Sequence, residues 1–480
     1  MMGNTLILDI GKTNIKVHVL DDNLESIHES VKPNTVVNEG IYPHFDVDAI
    51  WDWFCAAVSE VTKTLTVSAI SVTTHGATAA LIDRNRSGNA LVLPVLDYEH
   101  SGPDSVSAGY AEVRPDFSET RSPNLSAGLN LGRQLFWQQQ SAPDSFAAAT
   151  DVLLYPQYWV WRMTGVRCTE VTSLGCHTDL WSPDQGDYSS LVDRMGWREL
   201  FPGMEPANRL VGKTTPEFNR KAGLTTACPV TAGIHDSNAS YLRYVQSSDG
   251  KPFAVVSTGT WAITMVSGTG AAQLDEARDM LMNVDYRGEP VPCARFMAGR
   301  EYESICNKMG SFPEEPFSPR DIENIFADGV FALPQFCDTS GPFAGSPGVI
   351  QPSTHRINGA ALASLYCALM LDLELDLLNA EGDVFLEGAF LKNPLLCQLL
   401  AALRPQDRVI PSTDSTGTVK GAAALARSAP VTGVEPQRCE PLQLEGLEDY
   451  RTQWRAQCRA IDRALGRDSE RVPLTSTSTR

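Results

Sequence analysis

Several short stretches carry residue types that can do chemistry together. Asp9-Ile10-Gly11-Lys12-Thr13-Asn14 follows an apolar run. A phosphate needs close approach of backbone N–H groups, which Gly11 permits, and further donors such as Lys12, Thr13 and Asn14. Asp9, closing the run, is placed to hold Mg²⁺ directly or through water. A plain turn is the competing interpretation, because Asp-x-Gly turns are common. Ser257-Thr258-Gly259-Thr260-Trp261 has a similar form. Its small hydroxyls can line a phosphate, and Trp261 is expected to anchor the loop in the core. In Gly233-Ile234-His235-Asp236-Ser237 the carboxylate can accept a proton from an attacking hydroxyl, or simply cap a helix. Thr74-His75-Gly76 and Asp97-Tyr98-Glu99-His100 gather hydroxyl, imidazole and carboxylate groups that suit a polyhydroxylated ligand. A satisfied histidine and a surface loop would look the same. Cys168, Cys176 and His177 come nearest to a metal cluster, but a fourth ligand at usable spacing is missing.

The elements around these stretches say how they are held. Thr5–Ile10 and Ile15–Leu20 read as a hairpin, and Glu25–Val31 as a third strand. Asp46 or Asp48 caps a helix whose apolar face includes Ile50, Phe54, Ala57, Val61 and Leu65. Ala69–Thr74 is a strand, and Ala79–Asp83 is expected to pair with Ala90–Val95. Residues 123–224 read as mostly helical, and Pro229–Ala232 as a short strand before Gly233. Pro252–Val266 repeats the opening strand–turn–strand design, which predicts two related domains. Gly359–Leu378 reads as a long buried helix, Val384–Leu386 as a strand, Leu395–Leu403 as a helix and Val409–Ile410 as a strand. Gly417–Ala426 has the pattern of a helix packed close against a sheet. Beyond Pro430 the expectation is one helix around Tyr450–Leu465 and a disordered last dozen residues.

A chain of 480 residues is long for one core. The predicted division is an N-terminal domain over 1–245, a second over 246–430, and a C-terminal helix with a polar tail over 431–480. The net charge of −19 argues against nucleic acid or an anionic membrane as the main partner. Eleven cysteines with no C-x-x-C pair do not form a secreted disulfide framework. The opening MMGNTLILDIG lacks a basic segment followed by a long apolar run, so a cytoplasmic chain is expected.

In this order and spacing the motifs resemble the FGGY family of carbohydrate kinases, within the actin, hexokinase and Hsp70 superfamily. The likeness runs from about residue 4 to residue 427. The first hairpin resembles the family's Asp-x-Gly-x-Thr/Ser phosphate motif. PVTAGIHDSNAS is similar to the segment carrying the catalytic Asp, here Asp236, and AVVSTGTWAITM is similar to the second phosphate motif. DVLLYPQYWVWRMTG resembles the helix ending at Met163-Thr164-Gly165, and STGTVKGAA places Gly421 at a helix-packing glycine. FLEGAFLKNPLLCQLLA resembles the adenosine motif, with Gly388 and Asn393 at its second glycine and its asparagine. Glu387 replaces the first glycine, and the spacing is one residue longer. Where relatives carry Trp-x-Asp-x-Arg or Tyr-Arg-Asp-x-Arg, this chain has Leu96-Asp97-Tyr98-Glu99-His100, without the arginine.

The resemblance implies an α/β fold of two actin-like (ribonuclease H-like) ATPase domains flanking a central cleft. It implies ATP and Mg²⁺ as cosubstrate and metal, with Asp236 as general base. A sugar would contact His75, Gly76, Asp97, Glu99, His235 and Asp236. ATP would contact Gly11, Lys12, Thr13, Asn14, Thr258, Gly259, Thr260, Gly388 and Asn393, and the metal Asp9 and Asp236. The sugar expected first is a deoxyketohexose such as L-rhamnulose or L-fuculose, then a ketopentose. A kinase for a polyol and a catalytically silent sugar- or nucleotide-sensing protein are the alternatives. A homodimer is the assembly this allows for.

Overall fold

The computed structural model describes residues 3–268, 273–337, 340–353, 356–412, 416–427 and 437–474. The chain divides into two compact units. The first comprises Met1–Ser247, Met282–Pro290 and Thr416–Thr432, and the second Ser248–Leu281, Val291–Ser415 and Gly433–Arg480. Residues 416–427, placed by sequence in the second domain, thus go with the first unit. The C-terminal segment joins the second unit.

The first unit is built on the strand Asn4–Ile10, whose Leu6, Ile7, Leu8 and Ile10 are all fully buried. A strand apolar on both faces belongs in the middle of a covered sheet, and there it lies. It pairs antiparallel with Asn14–Leu20 and parallel with Val67–Thr74. Ser26–Pro33 pairs with Asn14–Leu20 and forms the exposed edge. On the far side, Pro229–Thr231 and Ile234–His235 run parallel to Val67–Thr74. Asp9 is therefore level with Thr73, and His235 with Thr74. The carboxyl ends of three parallel strands meet, and open α/β sheets hold their ligands at such ends.

Helix Val47–Val61 covers this sheet. Asp46 caps it by accepting from the Ala49 N–H at 2.9 Å, and Ile50, Phe54, Ala57 and Val61 are buried. Leu65 lies beyond its end. The predicted hairpin of Ala79–Asp83 with Ala90–Val95 does not form. Ala79–Ile82 pairs instead with Asp151–Leu154, and only the bridge Ile82–Leu91 remains of the expected partner. Ala90 sits at φ 54°, which breaks the strand there, while Asp151–Leu154 offers four extended, buried residues. The span 123–224 is likewise less helical than predicted, because it also holds Asp151–Leu154, Trp181–Ser182, Asp187–Tyr188 and Leu210–Lys213 as strands.

The second unit repeats the arrangement. Phe253–Thr258 pairs antiparallel with Ala262–Ser267 and parallel with Asp383–Gly388, which brings Thr258 level with Gly388. Both units are actin-like α/β units. Trp261 is only half-buried, because the Arg295 guanidinium lies over its ring at 4.8 Å instead of core packing. The helix Gly359–Leu377 is buried on every side, as expected. The helix Leu447–Ala464 is no appendage: Trp454 and Cys458 are fully buried in the core of this unit. Of the last dozen residues, Ser469–Arg471 form a 3-10 turn and Val472 is buried, while 475–480 lie outside the described residues. No helix among the described residues is long and apolar enough to cross a membrane.

Glu301 gives this unit a measurable pH response. It is fully buried and accepts from Gln335 Nε2 at 3.0 Å, the Phe336 N–H at 3.1 Å and the Tyr366 hydroxyl at 2.5 Å. Burial outweighs these bonds and pushes its carboxyl from 4.5 up to about 7. A raised folded-state value means that stability is complete below the unfolded value of 4.5 and is lost as pH rises through 7. The loss amounts to at most about 3 kcal/mol. Glu301→Gln cannot ionise, so its unfolding midpoint is expected to fall less than that of wild type between pH 5 and pH 8. Calorimetric scans across this range check it, and parallel slopes for the two proteins would count against titration of Glu301.

Candidate active site

In the first unit the sheet register gathers most of the predicted sugar-side residues. Val67–Thr74 ends at His75, whose N–H donates to Ile10 O at 2.8 Å. The His75 ring is tucked among Phe45, Tyr98 and Tyr155, with centroids 5.1–5.3 Å away. Its Nδ1 lies 3.0 Å from Gly76 O, which can only accept, so Nδ1 carries the proton and Nε2 is a bare acceptor. That Nε2 is buried and has no partner among the described residues. Burial pushes the ring down to about 4, so it is neutral near pH 7.

Gly76 is required for space. A Cβ there would lie 2.8 Å from Nε2 of His235. His235 in turn has its Nδ1 2.9 Å from Asn238 Oδ1 and its Nε2 3.1 Å from Asp236 Oδ1. Asn238 Nδ2 donates to Val284 O, which fixes the amide so that its oxygen faces the ring. Both imidazole nitrogens thus face acceptors. Burial opposes the charge, but the Cys176 and Asp236 side chains beside the ring raise His235 well above its ordinary range. An imidazolium is the form this geometry holds.

Asp236 opens the helix Asp236–Ser247. Burial would raise its carboxyl, yet the hydrogen bond and charge of His235 carry it below the usual range. His235 Nε2, the Ser237 N–H and the Ser237 hydroxyl all converge on Oδ1, at 3.1, 2.6 and 3.3 Å. Oδ2 is left open, and the side chain is 30% exposed. An ionised carboxylate with one oxygen anchored and the other open is a competent proton acceptor.

The helix is braced from behind. Gly421, in the helix Gly417–Leu425, lies so close that a Cβ would run into Ala239 O. The close approach expected of this glycine is therefore to the helix carrying Asp236, although Val419 and Ala422 also pack with Ile7 of the sheet. In front, the His235 N–H donates to Thr172 Oγ1 at 3.0 Å, and that hydroxyl donates to the buried Glu170 at 2.6 Å. Glu170, Thr172 and Asn238 escaped the sequence analysis, since nothing local ties residues 170–172 to residue 235.

Asp9 ends the strand beside this cluster. Burial and the charge of Asp236 push its carboxyl up to about 7. Asp236 raises the proton affinity of Asp9, and carboxylate oxygens are hard donors of the kind Mg²⁺ takes, so Asp9 and Asp236 fit such an ion. In the following turn the Gly11 N–H is bonded to Asn14 O at 2.9 Å, while Thr13 and Asn14 are exposed at the tip. Lys12 does not stay with them. Its ammonium pairs with Asp97 Oδ1 and sits 3.2 Å from Glu99 Oε2. It also lies 4.8 Å from the Tyr98 ring centroid and 5.4 Å from that of Phe45. Two carboxylates and two aromatic faces draw it away from the turn.

In the second unit the parallel register places Thr258 and Gly388 side by side. Gly388 is at φ 90°, and a Cβ there would strike Thr258 O, so only glycine fits. The Thr258 hydroxyl donates to Glu387 O at 2.6 Å and accepts from the Phe390 N–H at 3.0 Å, which engages it in the fold. Asn393, expected at the adenosine, caps the helix Pro394–Leu403 through Oδ1 and donates to Ser364 Oγ at 2.8 Å. Gly259 and Thr260 meet the start of the helix Ala298–Met309. Gly299 N–H donates to Thr260 O at 3.2 Å, a contact that nothing in the sequence pattern marks.

Comparison with known proteins follows the same lines. Residues 4–242 match the N-terminal domain model of the FGGY family of carbohydrate kinases, and residues 250–435 match the FGGY C-terminal domain model. A carbohydrate kinase from Novosphingobium aromaticivorans superposes with a TM-score of 0.88 at 34% identity, covering 96% of this chain and 99% of that one. A xylulose kinase from Lactobacillus acidophilus superposes at 0.78 with 15% identity, covering 97% and 99%, which is a likeness of fold. Among curated proteins, an L-fuculokinase of Salmonella typhi is 26% identical over 54% of this chain and 56% of its own length. A rhamnulokinase of Oceanobacillus iheyensis is 22% identical over 50% of each. The chain thus spans about half the length of these curated relatives.

Proposed function

Since the chain belongs to the FGGY family of carbohydrate kinases, we propose that it transfers the γ-phosphoryl group of ATP to a hydroxyl of a sugar. The sugar favoured first is a deoxyketohexose of the L-fuculose or L-rhamnulose type, followed by a ketopentose. This order follows the names of the relatives and the likeness of the Gly-Thr-Trp form of the second turn to rhamnulokinase-like members. The observation that carries the assignment is Asp236, with Oδ1 anchored by His235 and Ser237 and Oδ2 open.

In the proposed reaction the open oxygen of Asp236 accepts the proton of the attacking hydroxyl as the phosphoryl group leaves. His235, oriented by Asn238, keeps the carboxylate ionised until then. His75 Nε2 accepts a bond from a second hydroxyl and fixes the sugar's orientation. Most of the acceleration in phosphoryl transfer comes from positioning and from neutralising charge. Mg²⁺ held by Asp9 and Asp236 would supply part of that neutralisation. The backbone N–H groups of Lys12, Thr13 and Thr260 are proposed as phosphate donors, since those of Gly11 and Gly259 are bonded within their own turns.

A coupled assay of ADP release over a panel of ketoses, aldoses and polyols tests this. Stimulation of ADP release by one sugar over the others names the substrate. Binding of sugar and ATP with no stimulated ADP release would replace the kinase by a sensor.

A further inference from the structure

We propose that Lys12 is a sugar-recognition residue: it bridges Asp97 and Glu99 into a cluster that stays net negative and selects a neutral polyhydroxylated sugar, and it does not serve the nucleotide phosphates. The inference rests on the kinase assignment for its place in a reaction, but its geometry stands independently. Asp97 is only 7% exposed, and its backbone N–H is held by Pro43 O at 3.0 Å. A buried carboxylate without a counter-charge is costly. This chain lacks the arginine that the resemblance leads one to expect two residues after the aspartate, and His100 stands near that place. The cation comes instead from the first hairpin turn. Lys12 meets Asp97 and Glu99, and its ammonium lies over the rings of Tyr98 and Phe45.

The donors and acceptors then fit one class of ligand. An ammonium has three N–H donors. Asp97 and Glu99 take two, which leaves one for a substrate oxygen. Tyr98, whose ring Lys12 covers, is also the edge-on neighbour of His75, with centroids 5.3 Å apart. His75 adds a buried acceptor with no partner among the described residues. A hydroxyl that accepts from Lys12 and a nearby one that donates to His75 satisfy both. A sugar acid is disfavoured, because its carboxylate would face Asp97, Glu99 and Asp236 with one ammonium already shared between two of them.

The test compares wild type with Lys12→Met, which keeps the apolar stem, and Lys12→Arg, which keeps the charge. KM is measured separately for the sugar named by the panel and for ATP, and sugar binding is titrated without nucleotide. Loss of a charged hydrogen bond predicts that Lys12→Met raises the sugar KM and Kd by about ten- to a hundredfold, with the ATP KM within about twofold. Lys12→Arg is expected to recover part of the loss. A rise in the ATP KM with sugar binding intact would overturn the inference and return Lys12 to the phosphates. Unchanged values for both ligands would overturn it as well. Should wild type release no ADP with any sugar, the kinase assignment falls, while the binding titration still decides the role of Lys12. Neutral sugars that bind wild type and not Lys12→Met support it; equal binding, or none to wild type, overturns it.

Discussion

Replacing Asp236 by Asn is expected to lower turnover by about two orders of magnitude or more, the usual scale of a lost general base. Sugar affinity and the unfolding midpoint should barely change. The substitution is isosteric, and the Ser237 N–H that donates to Oδ1 at 2.6 Å can still donate to an amide oxygen. What disappears is the proton acceptor, together with the negative charge that His235 faces at 3.1 Å. Turnover in the ADP-release assay, sugar affinity by titration and calorimetry together check the variant. Normal turnover would end the assignment of Asp236 as base. Recovery at high Mg²⁺ would instead shift its role from the proton to the metal. A large fall in sugar affinity with turnover intact would make it a binding residue only.

Much of the candidate site was legible because its parts are local. A buried strand running into a turn with a small or glycine residue is visible as a short apolar run, and so the segments around Gly11, Gly259 and Gly233 stand out. Which strand lies beside which is a different matter. Residues 79–83 pair with 151–154, a partner that no period or turn rule identifies, because Ala90 at φ 54° spoils the nearer choice only in three dimensions. The direction of a long side chain is equally silent. Lys12 follows Gly11 in sequence and reads as a phosphate donor, yet its four-carbon stem carries the charge to Asp97. Asn393 sits where a motif predicts a ligand contact and spends its amide on a helix cap instead. The Glu170–Thr172–His235 chain joins residues more than sixty apart, and only the fold brings them together.

The C-terminal helix shows the same limit on the side of stability, and it leads to the second large effect. Arg451 and Arg455 stand one turn apart in this helix, in a stretch of mostly polar sequence. Both are buried, and both reach Asp372 in the middle of the helix Gly359–Leu377. Arg451 donates to its two oxygens at 2.7 Å each, and Arg455 donates to Oδ2 at 2.5 Å. Arg404 adds a third contact at 3.3 Å, and bonds Asp376 at 2.9 Å and Asp407 at 2.6 Å. Burial penalises the Asp372 charge, but Arg455, Arg451 and Arg404 hold it below the usual carboxylate range, so it is ionised. Asp372→Asn would leave three buried guanidinium groups facing only Asp376, Asp407 and the exposed Glu448. Breaking one partner of a buried network in this way costs about 3–5 kcal/mol. For a unit of this size that corresponds to a fall in midpoint of about 10 °C. The calorimetric transition of the second unit should show it, with or without sugar. The loss reflects stranded charge more than missing attraction. Asp372→Asn combined with Arg455→Met should therefore cost less than the sum of the two single changes. Strict additivity in that cycle, or a midpoint shift under about 2 °C for Asp372→Asn, would mean that the packing of Tyr450, Trp454 and Cys458 anchors the helix and that the ionic network contributes little.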